Sequence, residues 1–317
     1  MEDVTGIVFR LTVAKAARPN VYFTEFTNAA SFCSEKGNFS TIGRLTFNST
    51  EKPIVAQIWG TKPEQFQQTA QELVKNGFSG IDINMGCPAK DVVKIGAGSG
   101  LIRTPELAVA IIKAAQAGAG NLPVSVKTRL GYSREEEFRD WLPKLLSTKP
   151  ANLTVHLRTK KEMSKVDARY EYIPEIVAMR NDISPSTKLT INGDIRDYAH
   201  VLELHRQYPG VDGFMIGRGV FANPYCFEKP DPNSGGMPQH SALELIDLLE
   251  YQLDLYDKHR QIIPDRPEVV RNFDSLKHFF KIYIRDFRDS SDWRQKLYAC
   301  KDTTEIREVL ANLKVTL

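Results

Sequence analysis

The stretch Asn84-Met85-Gly86-Cys87-Pro88 carries a thiol just past the apolar alternating run Gly80-Ile81-Asp82-Ile83. That is where a buried strand of an α/β enzyme ends and its chemistry begins. Gly86 permits a close backbone approach or a turn with positive φ, and Pro88 removes a backbone donor and stiffens the exit. A free cysteine is most often a small apolar core residue. Between a glycine and a proline at a strand tip it is poorly placed to fill a core, so Cys87 reads as a functional thiol.

Other polar residues end apolar runs in the same way: Gln57, Lys127, His156 with Arg158, Asn192-Gly193-Asp194, and Gly217-Arg218. One such ending is ordinary, and His156 or Gln57 alone reads as a satisfied core residue. A set of them is a constellation, because the C-terminal ends of parallel strands in a closed barrel converge on one mouth. Asn192-Gly193-Asp194-Ile195 and Ile216-Gly217-Arg218-Gly219 end what would be the seventh and eighth strands of such a barrel. There, glycines, backbone amides and a nearby helix start form a phosphate pocket, to which Arg218 could add a bidentate contact. Lys127 would then sit beside a cofactor ring, supplying positive charge where an electron-rich flavin becomes anionic.

The elements that must hold these residues alternate along the chain. Strands are expected at Val21–Thr24, Ile54–Ile58, Gly80–Asn84, Pro123–Lys127, Leu153–His156, Lys188–Asn192 and Gly213–Ile216. Helices are expected at Val8–Ala17, Pro63–Lys75, Pro105–Ala117, Glu135–Leu146, Tyr172–Arg180 and Tyr198–Gln207, several opening on Pro or Thr. Such alternation means parallel strands with right-handed crossovers, and the fold class is α/β, a (β/α)8 TIM barrel. One strand of eight is lacking, so the first is expected upstream of Met1, with unpaired edges on its neighbours. The turn formers from Lys229 to Pro238 read as a linker, after which only helical periodicity continues, at Ala242–His259, Pro267–Phe287, Ser291–Tyr298 and Thr304–Leu313. The expected division is a barrel over 1–237 and a small helical bundle over 238–317.

Bulk composition excludes more than it selects. The 317 residues, 42% hydrophobic, suffice for a barrel and an appendage, and a net charge of +3 means that any nucleic acid is held by local basic patches. Cys33, Cys87, Cys226 and Cys300 lie far apart without a Cys-x-x-Cys pair, which argues against a zinc site or a disulfide framework and for a reducing cytoplasm. No long apolar run suggests a membrane span, and the acidic start is unlike a signal peptide.

The combination Asn84 to Pro88, Val124-Ser125-Val126-Lys127-Thr128-Arg129-Leu130-Gly131, Val155-His156-Leu157-Arg158-Thr159, Asn192 to Ile195 and Met215-Ile216-Gly217-Arg218-Gly219 resembles the tRNA-dihydrouridine synthases in order and spacing over nearly the whole chain. Thr24-Glu25-Phe26, Gly96 to Leu101 and Ala222-Asn223-Pro224 add to it. The family's first strand ends in a Pro-Met pair; of that element only Met1-Glu2 stands here. The resemblance implies FMN at the barrel mouth, reduced by NADPH or NADH, and reduction of uridine in tRNA to 5,6-dihydrouridine by a monomeric enzyme without metal. Carried over residue by residue, Gln57, Lys127, His156, Asn192, Gly193, Asp194, Gly217 and Arg218 match the FMN contacts. Asn84 matches the residue that orients the target base, and Cys87 the general acid that protonates uracil C5 while hydride reaches C6 from the opposite face.

A uracil stacked in folded RNA must leave the stack to be reduced, so the surrounding backbone needs a grip. Lys277, Lys281, Arg285 and Arg288 recur at helical spacing on one expected face of Pro267–Phe287, with Arg271 further back. A second basic cluster, Arg158, Lys160, Lys161, Lys165 and Arg169, is expected to rim the mouth. Two other readings stay open: a flavin reductase of free pyrimidines on the same barrel, and a catalytically inert RNA-binding relative.

Overall fold

A computed structural model describes residues 4–231, 233–262 and 272–317. Its centre is a parallel sheet whose strand order follows the chain: β1 (Tyr22–Phe23), β3 (Ile54–Trp59), β4 (Gly80–Asn84), β5 (Val124–Arg129), β6 (Asn152–His156), β7 (Lys188–Asn192) and β8 (Gly213–Met215). A further two-residue strand, β2 (Thr27–Asn28), pairs with the far end of β3. Sequential parallel order with a crossover helix after most strands is the (β/α) barrel architecture expected from the alternation. Among the described residues no pairing joins β8 to β1, so the sheet keeps two edges.

The outer layer forms where apolar residues recur at helical spacing. Pro63–Lys75 buries Phe66, Ala70 and Leu73, and Pro105–Ala119 buries Ala108, Ile111, Ile112 and Ala115. Each opens on proline at its first turn, where the missing N–H costs nothing. The helix Glu35–Leu45, capped by Ser34 through the Gly37 amide, has no counterpart in the sequence expectations. Two internal glycines and a short apolar stripe conceal it.

A second core joins the first helix to the C-terminal helices. Helix Ile7–Ala16, at the start of the chain, buries Phe9 and Val13 among Leu249, Leu253, Phe279, Phe280 and Leu310 of the C-terminal helices. The Phe9 and Phe279 ring centres lie 4.6 Å apart. Arg10 of the same helix reaches Glu51 in a buried ion pair of 2.5 Å, so one element ties the barrel to the helical region. The expected linker is anchored where it ends, since His240 Nε2 lies 2.6 Å from Glu228 and its ring stacks on Tyr225.

The continuous helix expected over Pro267–Phe287 does not form. Residues 263–271, including Arg271, lie outside the described residues. Beyond them the chain makes two four-residue turns, Asp274–Lys277 and Phe280–Tyr283, and then runs irregularly, with Asp286 and Asp289 at left-handed φ of 62° and 58°. Aspartate tolerates that conformation, and it ends a helix. Lys277, Lys281, Arg285 and Arg288 therefore do not share one helical face. No single helix among the described residues is long and apolar enough to cross a membrane.

Candidate active site

Period-two alternation along β4 aims Asp82 and Asn84 at the barrel interior, and parallel register brings Gln57 of β3 beside Asp82 and Lys127 of β5 beside Asn84. Gln57, Asp82 and Asn84 are buried. Gln57 Nε2 donates to Asp82 Oδ2 at 2.7 Å, and Asn84 Nδ2 donates to Gln57 Oε1 at 3.1 Å. Asn84 Oδ1 accepts from the amides of Gly86 at 3.1 Å and Cys87 at 2.9 Å, folding the chain sharply beyond the strand.

The half-buried Cys87 is therefore held through its backbone. Its carbonyl accepts from the Ser99 amide and hydroxyl at 3.0 and 2.8 Å. Arg129 Nε donates to the Gly86 carbonyl at 2.7 Å, while Nη1 donates to the carbonyls of Thr159 and Met163 at 3.1 Å each. Gly86 serves close approach and not a left-handed turn, because a Cβ there would come within 3.3 Å of the Thr128 carbonyl carbon.

Across the mouth, Lys127 Nζ donates to Asn192 Oδ1 at 3.0 Å, and Asn192 Nδ2 donates to the Met215 carbonyl at 2.7 Å. Burial pulls the Lys127 amine down to about 8, assisted by the Arg129 charge and opposed by Asp82. Burial likewise pushes the Asp82 carboxyl up to about 6, although bonds from Ser125 and Gln57 favour its charge. His156 is held well below its ordinary value by burial and then by the cations Arg129, Lys127, Arg158 and Arg218, so it is neutral.

Asp194 is gripped by Arg158 Nη2, by the Ala168 amide at 2.9 Å and by Arg218 at 3.2 Å. Burial alone would raise its carboxyl, yet these partners hold it below the ordinary range. Gly193 takes φ 125°, and a Cβ there would come within 2.9 Å of Ala168. Arg158, expected at the rim, is instead 2% exposed and faces Asp194. Gly217 adjoins Asn192, and Arg218 is exposed.

The strand ends thus bring together Gln57, Asn84, Cys87, Lys127, His156, Arg158, Asn192, Gly193, Asp194, Gly217 and Arg218. Lys277, Lys281 and Arg285 belong to the helical region instead. Lys277 pairs with Asp274 at 2.8 Å, Arg285 with Asp286 at 3.3 Å, and Lys281 is exposed. The turn bearing Lys281 packs against Gly219–Ala222, which comes directly after Arg218. Sequence reasoning passed over Asp82 and Arg129. An acid between two isoleucines in a buried strand was the signal for Asp82.

A family model described as dihydrouridine synthase (Dus) matches residues 1–316. The chain belongs to the dihydrouridine synthase family. Among its relatives, a probable tRNA-dihydrouridine synthase of Staphylococcus aureus (strain COL) is 52% identical over 310 residues, covering 98% of this chain and 90% of the relative. The probable tRNA-dihydrouridine synthase 2 of Bacillus subtilis (strain 168) is 51% identical over 310 residues, covering 98% and 91%. Two solved structures share the fold. Morphinone reductase matches with TM-score 0.50 at 12% identity over 76% of this chain and 87% of that one. Histamine dehydrogenase from Rhizobium sp. 4-9 matches with TM-score 0.52 at 11% identity over 78% and 45%.

Proposed function

We propose that this protein is a tRNA-dihydrouridine synthase, a flavin-dependent oxidoreductase that binds FMN at the strand ends and, with NADPH or NADH as reductant, converts uridine in tRNA to 5,6-dihydrouridine. The observation that carries this reading is a half-buried thiol fixed by its backbone at the end of β4, beside the cations Lys127 and Arg129, in a chain about half identical to proteins bearing that name.

The residues present fit a phosphorylated flavin. His156 Nδ1 and Arg158 Nη1 are buried without a hydrogen-bond partner, which leaves an acceptor or donor and a charged donor for a ligand. Lys127, Arg129, Arg158 and Arg218 supply positive charge around them. Gln57 keeps one N–H and one lone pair beyond its bonds to Asp82 and Asn84, and Lys127 keeps two N–H groups beyond its bond to Asn192. Bound flavin, once reduced, supplies hydride to uracil C6.

The chain's own residues do the rest. Electron density built at C5 and O4 as hydride adds at C6 is quenched by the Cys87 thiol: its S–H bond breaks, the proton goes to C5, and the thiolate regains a proton from water. Asn84 has both oxygen lone pairs committed to the Gly86 and Cys87 amides, so what it can offer the target base is its second N–H. Lys127 is the cation for charge developing on the flavin ring. Residues 1–237 then form the catalytic part and 238–317 the tRNA-binding part, where Lys277, Lys281 and Arg285 approach phosphates, in a cytoplasmic monomer.

The test is turnover by the purified flavin-loaded protein with NADPH. Dihydrouridine formed in an unmodified tRNA transcript, with no reduction of free uracil, supports the reading. Reduction of free pyrimidine at a comparable rate, or of neither substrate, refutes it.

A further inference from the structure

A single run of hydrogen bonds links the barrel interior to the Cys87 loop, with an acceptor closing it at one end and backbone donors at the other. Ser125 Oγ donates to Asp82 Oδ1 at 2.6 Å, and Gln57 Nε2 donates to Asp82 Oδ2 at 2.7 Å. From there the run passes through Gln57 Oε1 and Asn84 Nδ2 to Asn84 Oδ1, which accepts the Gly86 and Cys87 amides. A carboxamide fits its space in two orientations that exchange oxygen and nitrogen, so shape alone does not choose between them. The loop amides at one end only donate and the ionised carboxylate at the other only accepts, and together they hold Gln57 nitrogen inward and oxygen toward Asn84. That choice forces Asn84 nitrogen toward Gln57 and its oxygen toward the loop amides. Reversing either amide would set two donors or two acceptors face to face in a buried site.

The geometry points to Asp82 as a positioning residue that fixes the orientation of the Gln57 and Asn84 amides and, through them, the placement of the Cys87 thiol. This rests on Cys87 being the proton donor proposed above. Asp82 is not explained as a mere counter-ion, because Lys127, the charged side chain nearest it in register, directs its ammonium to Asn192.

Three substitutions separate polarity from charge. In Asp82→Asn, the side-chain oxygen still accepts from Gln57 while the new NH2 donates to Ser125, whose hydroxyl turns to accept; the polarity survives without the charge. Asp82→Leu keeps the branched shape and removes the polarity. Asp82→Val, β-branched and suited to a strand, is a second probe of lost polarity if the leucine variant fails to fold. Two readouts are taken: uridine reduction in tRNA by pre-reduced enzyme at saturating FMN, and alkylation of Cys87 by iodoacetamide followed by peptide mass spectrometry on apoprotein and holoprotein. The buried Cys226 and Cys300 serve as internal controls for unfolding.

With Asp82→Leu and Asp82→Val, uridine reduction is expected to fall about 10-fold or more, the scale of a misplaced reacting group, with the KM for tRNA unchanged. The Cys87 alkylation rate is expected to change by about 3-fold or more, while Asp82→Asn stays within about 3-fold of wild type in both readouts. Wild-type rates in the leucine and valine variants overturn the inference. So does an Asp82→Asn variant as impaired as Asp82→Leu, which would assign the role to charge. If wild type reduces no uridine while alkylation follows the expected order, the reading of Cys87 as proton donor fails and the positioning chain stands.

Discussion

Replacing Asp82 by asparagine is expected to stabilise the protein, and by an amount that depends on pH. Burial raises the carboxyl from 3.8 to about 6, so the native state binds this proton more tightly than the unfolded chain does. Wild-type stability from this group is therefore full below the unfolded value, falls as pH rises between about 4 and 6, and stays at its lower level above that. The cost at neutral pH is roughly 3 kcal/mol, and at pH 5 roughly half of it is present. Asparagine keeps the hydrogen bonds without the charge, so Asp82→Asn should exceed wild type by roughly 3 kcal/mol at pH 7.5, with the margin about halved at pH 5. Urea unfolding of both proteins at the two pH values measures it. A margin independent of pH, or a variant less stable than wild type at pH 7.5, would refute the reasoning that a solvent-excluded charge is held there at a cost.

Lys127 loses its charge above the value of about 8 that burial imposes, so uridine reduction is expected to decline above pH 8, and Lys127→Arg is expected to carry that limb upward; a pH–rate profile with no limb near 8 in wild type contradicts the assignment. Lys281 is exposed on a turn packed against the exit of β8, and Lys281→Ala is expected to flatten the dependence of log K on log salt for tRNA binding by about one unit. An unchanged slope removes Lys281 from the RNA surface. Phe9→Ala should cost about 3–5 kcal/mol in denaturant unfolding, because Phe9 fills the core shared by the first helix and the C-terminal region; a loss below about 1 kcal/mol would mean the two are not coupled there.

Much of this arrangement was legible in the chain because local pattern carried it. Alternating apolar runs ended by Gln57, Asn84, Lys127, His156 and Asn192 specified both the strands and the side on which their chemistry lies. What escaped depends on partners remote in sequence. Asp82 looks like one polar residue in an apolar strand until register sets it against Gln57 from β3 and Ser125 from β5. Arg129 stood inside a family motif without a role, since its partners are backbone carbonyls in two other loops. The same limit hid the true neighbours of Ile7–Ala16: periodicity shows that Phe9 and Val13 face a core, but not which one. The break after Tyr283 had a local signal, in Asp286 and Asp289, that the regular spacing of basic residues outweighed.

The central claim, that the Cys87 thiol protonates the base while the strand ends hold the flavin, is tested most directly by separating the two half-reactions in Cys87→Ala. Flavin reduction by NADPH is expected to proceed at the wild-type rate, while dihydrouridine formation in tRNA by the reduced variant falls by about 10²-fold or more. Equal loss of both half-reactions, or dihydrouridine formed at the wild-type rate, would contradict the account.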